Sequence, residues 1–346
     1  MKFVTTREIA SIVGCSHVTV SRALNNKRRV NKELKAKILA VAKELGYRPN
    51  PMVSSLMAVR GKKGQPSQEG CTIGWLNSHP NPYEWGKHSY KSIYLDGARE
   101  RCEEIGYNLD MVWGVEPGMT GTRLLQILNS RGIHGLIIPS ALWGVSRMNV
   151  RWDDLAVACI GARQPDQFAW HRATLAVRDS LAVCIRQLLQ LGFSRIGLAL
   201  QSANVEDSTP AGESIFRYFA YSNPSRFIEE ILRYERRNEN WNILIKEWIT
   251  RNNPQVIICA DIAMLSVCGE MGLRVPEDVS LFHIHLADDV KGWAGLNPFE
   301  KRQAAAAVDL VASQLQHNER GLPPYAKIVQ IYGEWQDGWT LRYHKK

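Results

Sequence analysis

Thr5-Thr6-Arg7-Glu8-Ile9-Ala10-Ser11-Ile12-Val13-Gly14-Cys15-Ser16-His17-Val18-Thr19-Val20-Ser21-Arg22-Ala23-Leu24 reads as two short helices joined by a tight turn. Thr5 and Glu8 have capping-box spacing, in which a hydroxyl accepts from the first turn and a carboxylate reaches back three residues later. Ile9, Ala10 and Val13 then form one apolar stripe, Gly14-Cys15 breaks the helix, and Ser16 is a good N-cap for a second helix through Val20 and Leu24. That is the helix-turn-helix pattern. A third helix is predicted from Asn31 as N-cap, with Leu34, Ile38, Val41 and Leu45 on one face and a stop at Gly46, so that three helices share one small core.

Charge separates this segment from the rest of the chain. The 346 residues contain 43 Lys/Arg and 34 Asp/Glu, for a formal net charge of +9. Fourteen of the basic residues fall within 1–63, where the acids are Glu8, Glu33 and Glu44, so residues 64–346 are close to neutral. Such asymmetry points to a polyanion for the N-terminal segment alone, the bland alternative being a solvated basic face. On the second helix His17, Val18 and Arg22 are placed to read base edges in a major groove: Arg22 can fork onto guanine, His17 can hydrogen-bond, and Val18 can press on a thymine methyl. Thr5, Thr19, Ser21, Asn25 and Arg29 suit phosphate, which sets register without reading sequence.

Val4-Thr5 through Ala10, Gly14, Ser16, Thr19-Val20-Ser21-Arg22, Asn25 and Leu45-Gly46-Tyr47-Arg48-Pro49-Asn50 together resemble the lactose/galactose repressor (LacI/GalR) family of transcription regulators. The resemblance implies a headpiece over 1–48 and a hinge helix over 49–60 that forms in the DNA-bound dimer. It also implies that Leu56 wedges into the minor groove at the operator centre, ordinary dimer packing being the other role open to it. Val53 stands where the family usually has a smaller residue. Residues 61–70, polar and rich in Gly and Pro, read as a linker.

From residue 71 to 346, short apolar runs alternate with helical patterns: Thr72–Leu76, Ser92–Ile105, Leu109–Trp113, Leu124–Asn129 and Leu136–Pro139, then Asp179–Leu191, Arg195–Leu200, Trp241–Ile249, Val256–Asp261, Ala263–Met271 and Val279–Ile284. Alternation of this kind predicts parallel sheets covered by helices. The expected fold class is therefore a small all-α helix-turn-helix headpiece plus α/β. Two such series, in a chain with this resemblance, imply two Rossmann-like lobes of periplasmic-binding-protein type, joined by crossing strands, with a small-molecule effector between them.

Ligands in open parallel sheets bind beyond the carboxyl ends of the strands. That rule selects the loop from Asn77 and Ser78 to Trp85, the neighbourhood of Asp261, and His285. The resemblance adds Arg217, near the position of an arginine that grips sugar hydroxyls, and supports Asp261. It also shows a rebuilt pocket, because His283-Ile284-His285-Leu286 replaces the family's Gly-Tyr/Phe-Asp-Asp and Ala260 precedes Asp261 where a polar residue is usual. Trp75, Trp85, Trp143, Trp170 and Trp293 fall in or near expected loops, and for each of them packing is a stronger expectation than stacking on a sugar. His283 and His285 share a strand face but lack an obvious third ligand for a metal.

Seven scattered cysteines read as reduced core residues. No phosphate loop, nucleophile elbow, zinc helix or paired-cysteine motif is found, so no catalytic, cofactor or metal site is expected. The start of the chain lacks an export signal and no apolar run spans a bilayer, which leads to the expectation of a cytoplasmic protein with no membrane partner. The expected partners are double-stranded DNA operator, a small-molecule effector and a second copy of the chain, in a dimer rather than a tail-joined tetramer since no heptads follow Trp339. Repression is expected. An activator of the same family, and an enzyme with an appended DNA-reading domain, are the alternatives.

Overall fold

A computed structural model describes residues 6–24, 31–45, 72–77, 89–139, 149–161, 169–201, 209–236, 238–286 and 290–342. The expectations for Thr5, Asn25, Arg29, the 49–60 hinge with Leu56, the 61–70 linker, Ser78, Trp85 and Trp143 lie outside these residues.

Three helices form the N-terminal unit: α1 (Thr6–Val13), α2 (His17–Leu24) and α3 (Lys32–Glu44). Gly14, at φ +78°, ends α1 by turning left-handed while the amides of Gly14 and Cys15 both donate to the Ala10 carbonyl at 3.0 Å. The Asn31 side chain caps α3 by accepting from the Glu33 amide at 3.0 Å. Ile9, Ala10, Val13, Val20, Ala23, Ile38 and Ala42 are the buried core, with Leu34, Val41 and Leu45 packed partly against it. Each fully buried aliphatic side chain contributes about 1.5–3 kcal/mol, so so small a cluster gives a marginally stable unit.

The remaining chain builds two sheets, each of six strands among the described residues. The first takes β1 (Thr72–Asn77), β2 (Asn108–Trp113), β3 (Gly135–Ile138), β4 (Ala156–Ile160), β5 (His171–Leu175) and β11 (Ile328–Ile331), in the order β11-β5-β4-β3-β1-β2, all parallel. The second takes β6 (Ile196–Gln201), β7 (Leu232–Tyr234), β8 (Val256–Cys259), β9 (Ser280–His283), β10 (Gly295–Asn297) and β12 (Glu334–Gln336), in the order β12-β10-β9-β8-β6-β7. Here β12 alone runs antiparallel. Because both faces of a parallel sheet must be covered, the central strands β1, β3, β4, β6, β8 and β9 are buried almost throughout and helices pack on each face. On the first sheet α4 (Ser89–Glu104) and α10 (Glu300–His317) cover one face, and α5 (Gly121–Ser130) covers the other. On the second, α6 (Val177–Gln190) and α7 (Thr209–Ser222) lie opposite α8 (Trp241–Asn252) and α9 (Ala263–Glu270). These are the two Rossmann-like lobes of a periplasmic-binding-protein-like fold.

The chain crosses between the lobes three times: from β5 to α6, from β10 to α10, and from β11 to β12. The crossings meet at Gly333. A Cβ there would lie 2.7 Å from Leu296 Cδ1, 2.8 Å from the Asn297 carbonyl and 3.1 Å from Leu175 Cδ1, so all three connections press on one residue without a side chain. The Gly333 amide donates to Ser180 Oγ at 2.9 Å, which ties the last crossing to α6.

Trp75 and Trp170 are core residues, and Trp170 meets Trp152 edge-on at 4.9 Å. Trp293 packs between His283 and Trp339. Cys102, Cys159, Cys184, Cys259 and Cys268 are buried free thiols, and Cys15 is a half-buried one. Burial pushes the thiols of Cys102, Cys159 and Cys184 up to about 12, and that of Cys268 to about 11.

Two outcomes follow from this packing. Gly333→Ala should lower the thermal stability of the lobes by about 1–3 kcal/mol, and an unchanged melting curve would show that the crossings have room to move. His171 is buried at the start of β5, and its Nδ1 accepts from the Lys327 amide at 3.0 Å, one residue before β11. Burial, then the charge of Lys327, holds its pKa below the ordinary 6.5 against a smaller opposing pull from Glu319. The unfolded chain therefore takes up this proton first, so the stabilisation is complete above that ordinary value and is lost as pH falls through the lowered one. His171→Asn, which keeps an acceptor near the same place, should flatten the slope of unfolding free energy between about pH 7 and about pH 5. An identical slope in the variant would remove His171 from the account.

Candidate functional site

The second helix of the N-terminal unit is set by a local cap. Ser16 Oγ accepts from the Thr19 amide at 3.1 Å and lies 2.9 Å from the Thr19 hydroxyl. Val20 and Ala23 are thereby turned into the core, and His17, Val18 and Arg22 come out exposed, Val18 at 44%. Thr19 and Ser21 are half-buried at the flank. Positions 17, 18, 21 and 22 fall on one face of a helix. Exposed valine beside a histidine and an arginine that have no partner among the described residues would be a poor solvent surface, but it suits a groove that offers both methyl groups and hydrogen-bonding edges.

In the lobes, strand register brings distant residues to one level. Asn77, the last residue of β1, is fully buried, is paired in register with Trp113 and accepts through its carbonyl from the Gly114 amide at 2.7 Å. In the second sheet Gln201 pairs with Tyr234, and Cys259 pairs with both Ala199 and His283. Two residues on, Asp261 and His285 follow at the same carboxyl rim.

Asp261 is 5% exposed and its carboxylate is surrounded by donors. Oδ1 accepts from Arg236 Nη2 at 2.5 Å and from the Ala263 amide at 3.0 Å, and Oδ2 accepts from Arg236 Nε at 2.8 Å and from the Tyr234 hydroxyl at 3.0 Å. Burial, then the Asp261 charge, raises the pKa of Tyr234, which keeps its hydroxyl a donor. The Tyr234 ring stacks on Trp241 at 6.2 Å, and the Arg236 guanidinium lies 5.4 Å from the centre of the same indole.

His285 Nε2 lies 3.2 Å from Glu300 Oε1, and its amide approaches His283 Nδ1 at 3.3 Å. The pair joins the loop after β9 to the first turn of α10, whose length packs on the other lobe's sheet. Arg217 sits mid-way along α7, where its Nε donates to Glu213 at 2.7 Å. Arg233 shares that carboxylate. The site residues expected from sequence thus gather at the rim in the cases of Asp261 and His285, while Arg217 is engaged elsewhere. Arg236, Tyr234, Trp241 and Glu300 were missed, because their relation to Asp261 and His285 exists only in the folded sheet.

A small three-helix unit with an exposed second helix, followed by two Rossmann-like lobes, is the arrangement of a DNA-binding regulator. Residues 5–50 match the family described as "Bacterial regulatory proteins, lacI family". The HTH-type transcriptional repressor PurR of Haemophilus influenzae is 21% identical over 345 residues, which span 94% of this chain and 95% of that protein. Among solved structures, the complex of the transcriptional regulator CelR with cellobiose superposes with a TM-score of 0.59 at 14% identity, covering 97% of this chain and 99% of the other. The lac repressor dimer bound to operator and the anti-inducer ONPF gives 0.56 at 18% identity, covering 98% and 99%. The family match thus covers the N-terminal unit, and the likeness to PurR runs through nearly the whole chain. By these likenesses it is a sequence-specific DNA-binding regulator of transcription. Among the described residues no helix is long and apolar enough to cross a membrane.

Ser16→Ala should destabilise the N-terminal unit by about 1 kcal/mol. Amide hydrogen exchange in α2 should accelerate accordingly while the strands of the lobes keep their protection; equal exchange in both proteins would mean that the cap contributes nothing.

Proposed function

We propose that two copies of this chain bind a palindromic operator through residues 1–48 and repress transcription, under the control of a small molecule held between the lobes of residues 71–346. The observation that carries this reading is the outward face of α2, where His17, Val18 and Arg22 stand clear of a packed core. Arg22 forks onto guanine, His17 hydrogen-bonds a base edge and Val18 meets a thymine methyl. Thr5, Thr19, Ser21, Asn25 and Arg29 hold phosphates and set register. In the hinge, residues 49–60, Leu56 enters the minor groove at the centre of the site, with 61–70 as linker.

The effector cleft draws Asn77, Ser78 and Trp85 from the first lobe, with Asp261 and His285 from the second. Arg217 joins it by exchanging Glu213 for the ligand. The solved likeness to a regulator in complex with cellobiose supports a sugar or sugar derivative in such a cleft. Effector acts by preferring one arrangement of the lobes, with a coupling of about 1–3 kcal/mol to the paired hinges. The His285–Glu300 contact supports that coupling, since it links the rim of one lobe to a helix lying on the other.

Selection of bound sequences from a random duplex library with the full chain should return a palindrome whose affinity falls steeply with salt. No enrichment at any salt concentration would sink the reading. On the selected site, Arg22→Ala should cost about 1–3 kcal/mol and relax the preference at one base pair. An equal loss on every sequence would assign Arg22 to phosphate instead.

A further inference from the structure

The geometry at the rim of the second sheet points to Arg236 as the group that reads the effector, and to an oxyanion, either a carboxylate or a phosphate ester, as what it reads. This rests on the effector occupying the cleft proposed above. A carboxylate offers about four lone-pair positions. Those of Asp261 are taken by Arg236 Nε and Nη2, the Tyr234 hydroxyl and the Ala263 amide. Asp261 has no acceptor capacity left for a ligand hydroxyl, and withdrawing a donor from a side chain 5% exposed leaves buried charge unpaired. It acts through Arg236 as a positioning residue.

Arg236 is placed the opposite way. Its bonds to Asp261 use Nε and one hydrogen of Nη2. Among the described residues Nη1 has no acceptor, which leaves three N–H groups, two of them side by side on the Nη1/Nη2 edge of a planar cation. The side chain is 43% exposed. Its plane is fixed from two directions, by the fork on Asp261 and by the indole of Trp241, itself stacked on Tyr234. Little rotamer freedom remains to be lost on binding.

An edge made only of donors calls for a partner made only of acceptors. Two oxygens of a carboxylate or phosphoryl group meet it without hydrogens of their own. Sugar hydroxyls would bring hydrogens that need acceptors, and the acceptor beside them is already full. The acidic residue that would ordinarily take a hydroxyl has here been spent on holding a cation, so the pocket's preference is moved from neutral sugars to acids.

The test uses the full chain and matched probes: glucose, glucuronate and glucose 6-phosphate, with the corresponding galactose series, each titrated against tryptophan fluorescence and thermal unfolding. At least one acid should bind while its neutral parent does not. Arg236→Lys, which leaves Asp261 a charged partner but removes the fork, should weaken that acid by roughly tenfold or more. Arg236→Gln should abolish it. Binding of the neutral sugars as tightly as the acids would overturn this assignment and leave the cleft reading standing, as would acid binding undiminished in Arg236→Lys. Failure of both classes to bind would overturn both.

Discussion

Neither lobe of this protein is completed by a continuous stretch of its own chain. The first sheet is closed at one edge by hydrogen bonds from β11 to β5, and the second by bonds from β12 to β10, both donated by residues near the end of the sequence. Between them, α10 leaves the second lobe to cover one face of the first. A parallel sheet needs both faces covered, and here each cover or edge is supplied only after the other lobe has been partly built. The lobes are therefore bound to each other by topology, whatever the area of direct contact between them. Gly333 is where that obligation becomes steric, since three connections share the space that one methyl group would fill.

The parts of this arrangement that could be read from sequence are those set within a few residues. Ser16 and Thr19, or Asn31 and Glu33, declare a helix start by spacing alone, and the structure has both caps. The apolar runs at Thr72–Asn77, Val256–Cys259 and Ser280–His283 declare buried strands for the same reason. What was not legible came from long range. Strand β5, His-Arg-Ala-Thr-Leu, is too polar to stand out as an apolar run although His171, Ala173 and Thr174 are buried, and α10 hides its role behind a run of alanines that fits helix anywhere. At the rim, Asp261 was found because it follows an apolar strand, but its four donors come from Tyr234, Arg236 and Ala263, and the parallel order β7-β6-β8 is needed to bring the first two to it. Arg217 is placed by likeness to the family, and the folded chain gives it Glu213 as partner.

Two polar contacts at the rim differ in what they connect. Asp261 and Arg236 both belong to the second lobe, so their fork makes a rigid local platform. His285 and Glu300 join that lobe's β9 loop to a helix seated on the first, so a change in lobe angle must stretch or release them. One contact lies within a lobe and the other bridges the two.

The N-terminal unit carries a further consequence. Its core is closed by side chains from α1, α2 and α3, and the outward positions on α2 contribute nothing to that core. Residues 17, 18 and 22 can thus be exchanged with small effect on folding, while the sensor behind them is left untouched. Under the function proposed above the device is pre-divided: descendants of one gene can drift to new addresses on the chromosome while keeping an inherited response, or keep the address and acquire a new stimulus. Duplication of such a gene yields two separable traits rather than one.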